Sequence, residues 1–264
     1  MTAPGSFLEA VQVTKRYESV TALRKVTFQV RRSEVACLLG DNGAGKSTLI
    51  KLLAGVAQPD EGTIRVDGAP VSLRSPRDAL RLGIATVYQD LALVPLMPVY
   101  RNFWLGHEPT RGWVPFRRLD RRYACTVAQK QLDDIGIVIE DLERPLSELS
   151  GGQRQCVAIA RAAYFGAGVL ILDEPTASLG LRQAALVLRY IRSARDRGLA
   201  VVFITHNVRH ALAVGDTFTV LERGAVSATF AKGEMSDQDV EILMSGGRRG
   251  IALIEEAIGD AASD

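Results

Sequence analysis

Gly40-Asp41-Asn42-Gly43-Ala44-Gly45-Lys46-Ser47-Thr48 is the stretch that decides how this chain folds. It fits the pattern G-x-x-x-x-G-K-[ST] in full, between an apolar run at 35–39 and a helical pattern that begins near Lys46. Glycines in such a loop let backbone N–H groups turn inward around phosphates. The helix that follows adds its positive end, and Lys46 adds a full charge. Ser47 is placed to ligate Mg²⁺. A glycine-rich turn with a capping Ser would account for some of these glycines, but not for Lys46 beside Ser47 after a buried strand. The stretch therefore implies a nucleotide-binding loop on a parallel sheet.

Working outward, the first third reads as strands over 7–13, 23–30, 35–39 and 63–66, with turns at Asp60-Glu61-Gly62 and Asp67-Gly68. One helix is expected over 46–54, stopped by Gly55, then a short helix over 75–82 and a strand over 84–88. From about 91 to 167 the character changes, with turn signals at Pro95, Pro98, Pro109 and Pro115 and helical stretches near 120–135 and 153–165. This reads as a mostly helical insertion. Strands over 169–172, 199–205, 216–221 and 226–230 then alternate with helices over 181–197 and 208–214. Val169-Leu170-Ile171-Leu172 and Ala200-Val201-Val202-Phe203-Ile204 are continuous apolar runs, as strands buried on both faces of a parallel sheet require. Phosphate loops belong at the C-terminal ends of such strands. A short helix ending at Met244, a Gly246-Gly247 break and an acidic tail over 248–264 close the chain. No internal repeat is visible, so one nucleotide-binding unit is expected.

Two further constellations carry chemistry. Asp173-Glu174-Pro175 follows a buried strand directly, which places two carboxylates at the sheet end where the phosphate loop should lie. Such a pair is often only a solvated turn; with the loop upstream, Asp173 would hold hydrated Mg²⁺ and Glu174 would orient or deprotonate a water. Leu149-Ser150-Gly151-Gly152-Gln153 opens a second helix. Ser150 and Gln153 fit an S-x-x-Q capping box, but capping leaves the glycine pair unexplained, and glycines remove side chains that would block an approaching anion. His206 and His210 are four apart, with no carboxylate between them and no third His or Cys nearby, so a metal pair is not expected.

Composition limits the function classes. The 264 residues are 47% hydrophobic with a formal net charge of +2, enough for a sizeable core and without a demand for nucleic acid. The densest basic stretch holds Arg111, Arg117, Arg118, Arg121 and Arg122 with Trp113, Phe116 and Tyr123 interleaved, and reads as a solvated face of the insertion. Cys37, Cys125 and Cys156 lie in apolar pattern and read as buried small hydrophobes in a reducing compartment. No secretory leader pattern and no run approaching a membrane span is present, so a cytoplasmic chain that forms no pore itself is expected.

The order Tyr17, Gly40 to Thr48, Gln89, Leu149 to Gln153, Asp173-Glu174, His206 resembles the ATP-binding subunit of ABC transporters, from about Phe7 to about Gly247. The resemblance implies an α/β fold with a P-loop NTPase core, an N-terminal antiparallel β subdomain and an inserted helical subdomain. One domain over 1–247 would divide into core and β subdomain, at about 1–90 and 168–235, and the insertion at about 91–167. It implies ATP and Mg²⁺ as ligands: Tyr17 on the adenine, Ser47, Gln89 and Asp173 on the metal, and Glu174, His206 and Lys46 as the catalytic set. Ser150, Gly151, Gly152 and Gln153 would complete the ATP site of a second copy in a head-to-tail dimer. Where the family usually continues Ser-Leu-Asp, this chain has Ser178-Leu179-Gly180; the Asp normally helps join the two sites.

Val94-Pro95-Leu96-Met97-Pro98-Val99, Asn102-Phe103-Trp104-Leu105-Gly106-His107-Glu108-Pro109 and Ile204-Thr205-His206-Asn207-Val208-Arg209-His210-Ala211-Leu212 look like the simple-sugar import branch, of ribose, xylose and fructose type. Most of that branch fuses two cassettes; one cassette here points to the fructose-like subgroup. The implied partners are a homologous pair of membrane permease subunits and, indirectly, an extracytoplasmic sugar-binding protein. The implied place is the cytoplasmic face of the membrane. A soluble ABC ATPase acting on nucleic acid and the ATPase of an exporter are the alternatives.

Overall fold

The computed structural model of the chain describes residues 6–113, 116–134, 136–166, 168–177 and 179–244. The Gly246-Gly247 break, the acidic tail and Ser178 lie outside the described residues. In chain order come β1 (Ser6–Tyr17), β2 (Val20–Arg31), β3 (Val35–Leu39), α1 (Lys46–Leu53), β4 (Glu61–Val66), β5 (Ala69–Val71), α2 (Pro76–Arg81) and β6 (Ile84–Val87). The inserted region holds α3 (Val99–Trp104), β7 (Thr110–Arg111), β8 (Arg118–Leu119), α4 (Arg121–Asp133), a 3-10 turn at Leu146–Glu148 and α5 (Gly151–Tyr164). Then follow β9 (Val169–Asp173), α6 (Leu181–Asp196), β10 (Ala200–Ile204), α7 (Val208–Val214), β11 (Thr217–Glu222), β12 (Ala225–Ala231) and α8 (Asp237–Met244).

A six-stranded sheet in the order β12-β11-β3-β10-β9-β6 forms the centre, parallel from β11 to β6, with β12 antiparallel at one edge. Its inner strands are buried on both faces. Val35, Cys37, Leu39, Leu170, Leu172, Val201 and Phe203 pack on the side of α5 and α6. Ala36, Leu38, Val169, Ile171, Ala200, Val202 and Ile204 pack on the other, with α1 and the β1–β2 strands. That double burial is why these segments read as continuous apolar runs.

The second sheet, antiparallel in the order β2-β1-β4-β5, is longer and more irregular than the expected strands. Gln12 takes φ 51° and Lys25 φ 48°, and the β1–β2 register shifts between Ala10 and Val13. Bulges of this kind break the two-residue alternation that marks a strand in sequence, so β1 runs to Tyr17 where the pattern ends at 13. The inserted region is less uniformly helical than expected: besides α4 and α5 it contains the β7–β8 hairpin and the six-residue α3. Cys37 and Cys156 are buried and Cys125 half-buried, all with free thiols; burial alone pushes Cys156 up to about 12, which suits an inert core thiol.

Asn102, on α3, organises the loop that leads into it. Its Oδ1 accepts from the Val94 N–H at 2.8 Å, and its Nδ2 donates to the carbonyls of Val94 and Met97, each at 3.0 Å. The side chain is fully buried, so no water substitutes for it. Asn102→Leu keeps the branched shape and heavy-atom count but removes every bond, leaving part-buried loop groups without partners. We expect a loss of about 2–4 kcal/mol in unfolding free energy, read by urea denaturation, with an unchanged dependence on urea concentration.

Candidate functional site

The parallel pairing sets three chain segments level at one sheet edge. Ile204 of β10 pairs with Leu38 of β3 on one side and with Asp173 of β9 on the other. Just beyond this row lie Glu174, Thr205-His206 and, after Leu39, the loop starting at Gly40. Three apolar strands in one register thus deliver an amine, two carboxylates and an imidazole to one edge.

The loop has no room for side chains at two of its glycines. Gly40 has φ +147° and a Cβ there would lie 2.4 Å from the Leu221 carbonyl oxygen. Gly45, the N-cap of α1, has φ +107°, and its Cβ would lie 2.8 Å from Leu23 Cδ2 and 2.9 Å from the Ala22 carbonyl oxygen. The loop is thereby pinned between β2 and the β11–β12 turn, whose Gly224 N–H donates to the Ala44 carbonyl at 2.9 Å. Lys46 is folded back over the loop: Nζ donates to the carbonyls of Gly40 at 2.6 Å and Asp41 at 2.9 Å. Burial holds its pKa below the usual lysine value, partly offset by Glu174, Asp41 and Asp173.

The two acids differ. Asp173 is pushed above the ordinary carboxylate value, first by burial and then by the neighbouring Glu174, with Lys46 opposing. Glu174 sits at φ 49°, an uncommon place for a non-glycine residue. It is held there by β10: its N–H donates to the Ile204 carbonyl at 3.0 Å, and Oε1 accepts from the His206 N–H at 3.0 Å. His206 Nδ1 lies 2.9 Å from the same oxygen, and Thr205 Oγ1 donates to Oε2 at 3.3 Å.

Asp41, Asn42, Gly43, Gly45, Lys46, Ser47, Thr48, Gln89, Asp173 and Glu174 line one open cavity of about 480 Å³. Gly40 and Ala44 are buried beneath it. Among the described residues no group of three or more His, Cys, Asp or Glu is placed so as to hold a metal ion by itself. The donors that do line the cavity, the Ser47 hydroxyl, the Gln89 amide and the Asp173 carboxylate, are hard and oxygen-rich. They fit Mg²⁺, which takes few protein ligands together with phosphate oxygens and water. The carboxylates crowded beside Asp173 are the feature a divalent cation relieves.

The cavity also contains Val20, Thr21, Arg223 and Gly224, which the sequence reading did not single out. Arg223-Gly224 is visible in sequence as a turn between two strands; its place beside the loop follows only from β11 lying next to β3. Other expected residues lie outside the cavity lining. Tyr17 is half-exposed at the end of β1, with Lys15 Nζ 5.5 Å from its ring centroid. His206 reaches the site through Glu174. Ser150, Gly151, Gly152 and Gln153 begin α5 away from this cavity. The capping box is formed: Ser150 Oγ accepts from the Gln153 N–H at 3.3 Å, and Gln153 Oε1 accepts from the Ser150 N–H at 3.0 Å. The glycine pair has a packing explanation in part. A Cβ on Gly152 would lie 2.7 Å from Gln183 Cβ, so this glycine lets α5 approach α6, whereas Gly151 would meet only Leu179 at 3.4 Å.

A sequence-family model described as ABC transporter matches residues 23–177, a span that contains the loop, the α5 helix mouth and both acids. The chain belongs to the ABC transporter ATP-binding family. The cassette is 42% identical over 238 residues to the xylose/arabinose import ATP-binding protein of Sulfolobus acidocaldarius, covering 90% of this chain and 93% of that one. It is 40% identical over 245 residues to the fructose import ATP-binding protein of Rhizobium meliloti, covering 91% and 94%. In fold it is similar to a nucleotide-free ATP-binding cassette from an ABC transporter, with a TM-score of 0.78 at 23% identity over 94% of this chain and 98% of that one. The α/β fold expected from the sequence is the fold observed, and as a member of this family the cassette is an ATPase.

The raised Asp173 predicts opposite effects on stability and binding. A carboxylate whose pKa rises on folding favours the native state below its unfolded value near 3.8 and loses that contribution as pH rises through the folded value. At neutral pH the charged Asp173 therefore opposes folding of the nucleotide-free protein. Asp173→Asn should raise the Tm of the nucleotide-free cassette at pH 7 and erase most of the further rise that ATP with Mg²⁺ gives the wild type. Scanning calorimetry with and without ligand checks both signs.

Proposed function

We propose that this cassette is the ATP-hydrolysing subunit of an importer for a simple sugar, a pentose or hexose, working at the cytoplasmic face of the membrane with a separate permease. The observation that carries the hydrolytic half is the single cavity joining the Gly40–Thr48 loop to Gln89, Asp173 and Glu174. The sugar half is supported by two relatives, matched over most of both chains, whose names give xylose/arabinose and fructose import. No helix among the described residues is long and apolar enough to cross a membrane; in this reading the path for the sugar belongs to the separate permease.

In this reading the loop N–H groups and Lys46 hold the β- and γ-phosphates of ATP, and Tyr17 stacks on the adenine. Lys46 is now satisfied by two loop carbonyls and turns from them to phosphate oxygens. Ser47, Gln89 and Asp173 hold Mg²⁺, which when bound neutralises charge on the phosphate oxygens. Glu174 orients the attacking water and takes its proton as the bond to the γ-phosphorus forms and the bond to the leaving ADP oxygen breaks. Held by the ends of β10, Glu174 keeps a fixed aim, and His206 beside it donates to the γ-phosphate. Ser150, Gly151, Gly152 and Gln153 serve a second copy's ATP in a head-to-tail dimer, where the uncapped N–H groups at the start of α5 meet the phosphate.

The link to the permease runs through the segment after Gln89. A second cavity, of about 250 Å³, opens beside it between β6 and α5, lined by Tyr88, Asp90, Leu91, His107, Arg161 and Phe165 among others. A permease segment seated there would sense movement of Gln89 as the metal site fills.

Glu174→Gln should lower turnover by about 10²–10³ while ATP binding stays within a few-fold of wild type. His206→Ala should lower turnover without tightening binding. A phosphate-release assay beside equilibrium dialysis separates these terms, and wild-type turnover in the Glu174→Gln variant would overturn the assignment of the base. For the transported class, uptake of labelled pentoses and hexoses in a deletion strain should return with the wild-type gene and not with Lys46→Ala. Unchanged sugar uptake in the deletion strain would overturn the import reading.

A further inference from the structure

The β7–β8 hairpin takes no part in the nucleotide site. The Phe116 N–H donates to the Trp113 carbonyl at 2.7 Å, closing the tip. Gly112 makes the closure possible: φ is +99°, and a Cβ would lie 2.9 Å from the Phe116 carbonyl oxygen. Closure sets Trp113 and Phe116 side by side, ring centroids 5.5 Å apart at 69°. They are 73% and 67% exposed, the two largest uncovered aromatic surfaces among the described residues. The chain's other tryptophan behaves in the opposite way: Trp104 is buried and its indole N–H donates to the Ala124 carbonyl at 2.9 Å.

Charge around the pair is one-sided. Residues 108–122 carry five arginines against two carboxylates. Both carboxylates are engaged by backbone, Glu108 accepting from the Gly106 N–H at 3.1 Å and Asp120 from the Tyr123 N–H at 3.1 Å. Arg121 pairs with Glu143. Arg111, Arg117 and Arg118 are exposed and have no ion-pair partner among the described residues.

We propose that this hairpin tip is a membrane-surface contact: Trp113 and Phe116 enter the headgroup layer of an anionic bilayer while Arg111, Arg117 and Arg118 pair with lipid phosphates. An uncovered aromatic pair flanked by unpaired guanidinium groups asks for a partner that is anionic at its surface and apolar just beneath. A bilayer offers both in that order, and aromatic rings and arginines concentrate at that boundary. Nucleic acid would also attract the arginines. The edge-to-face rings, however, form a wedge and not two parallel platforms on which successive bases stack. The proposal rests on the reading that the cassette works at a membrane, and is independent of the sugar.

The test uses the full chain with vesicles of phosphatidylcholine, with or without phosphatidylglycerol. Binding to the anionic vesicles should exceed binding to the neutral ones by at least about tenfold and weaken as salt rises. Trp emission should shift to the blue and be quenched by brominated acyl chains; in Trp113→Phe, which retains only buried Trp104, neither change should occur. The double variant Trp113→Ser with Phe116→Ser should lose vesicle binding, and Arg117→Gln with Arg118→Gln should weaken it, both with wild-type ATP turnover. Equal binding to neutral vesicles, no binding to either, or wild-type binding by the Trp113→Ser, Phe116→Ser variant overturns the proposal. So does tight binding of single-stranded RNA at the salt that releases vesicles, which assigns the arginines to nucleic acid. Normal turnover without vesicle binding sinks the hairpin contact alone, whereas vesicle binding without turnover sinks the hydrolase reading and leaves the contact standing.

Discussion

The shared register of three buried strands is the constraint on which the rest of the molecule depends. Leu38, Ile204 and Asp173 lie in one row, so the chain leaves the sheet at the same level three times. A one-residue slip of β9 would turn Leu170 and Leu172 from one core face to the other and carry Asp173 off the cavity rim. Burial on both faces makes such a slip costly, because Val169 and Ile171 are as fully buried as their neighbours. Core packing and site geometry are therefore the same fact seen from two ends.

Above that row, the loop and Glu174 are held by different means. The loop is held sterically: Gly40 and Gly45 let it pass within contact distance of Leu221, Leu23 and Ala22, so the β11–β12 turn and β2 form its outer wall. Glu174 is held by hydrogen bonds in a left-handed backbone conformation that its side chain would otherwise disfavour. Strain of that sort costs roughly 1–3 kcal/mol and persists where surrounding bonds over-determine it. The arrangement aims a carboxylate across the edge of β10 toward the loop, which an extended residue at that position would not do.

What could be read from the sequence follows the same physics. The segments at 35–39 and 169–172, and 200–204 within the strand expected over 199–205, were legible because double burial leaves no polar residue in them, and the loop because its residues are contiguous. The short α3 was not: prolines precede it, it has six residues, and its helicity comes from packing Phe103 and Trp104 against Tyr164 and Phe165. The continuation of β1 to Tyr17 was hidden by bulges, and Arg223 was hidden by topology, since no local pattern tells that β11 will lie beside β3. The Ser150 to Gln153 stretch was half legible. Its capping box was evident, while the need for Gly152 depends on Gln183 of another helix.

Gly151 has no close packing demand, since a Cβ there would meet only Leu179 Cδ2 at an ordinary 3.4 Å, and it sits at a helix mouth outside the lining of its own chain's nucleotide cavity. In the proposed dimer that mouth completes the ATP site of a second copy, and mixing two inactive variants tests this most directly. Lys46→Ala removes the loop's cation; Gly151→Asp adds a carboxylate that suits the start of a helix but repels a phosphate. Each should be inactive alone. Mixed and allowed to exchange, heterodimers keep one site with both halves intact, so turnover should return to roughly a quarter of the wild-type sites at random pairing. Turnover that stays at zero on mixing, with dimers present, would contradict the shared site.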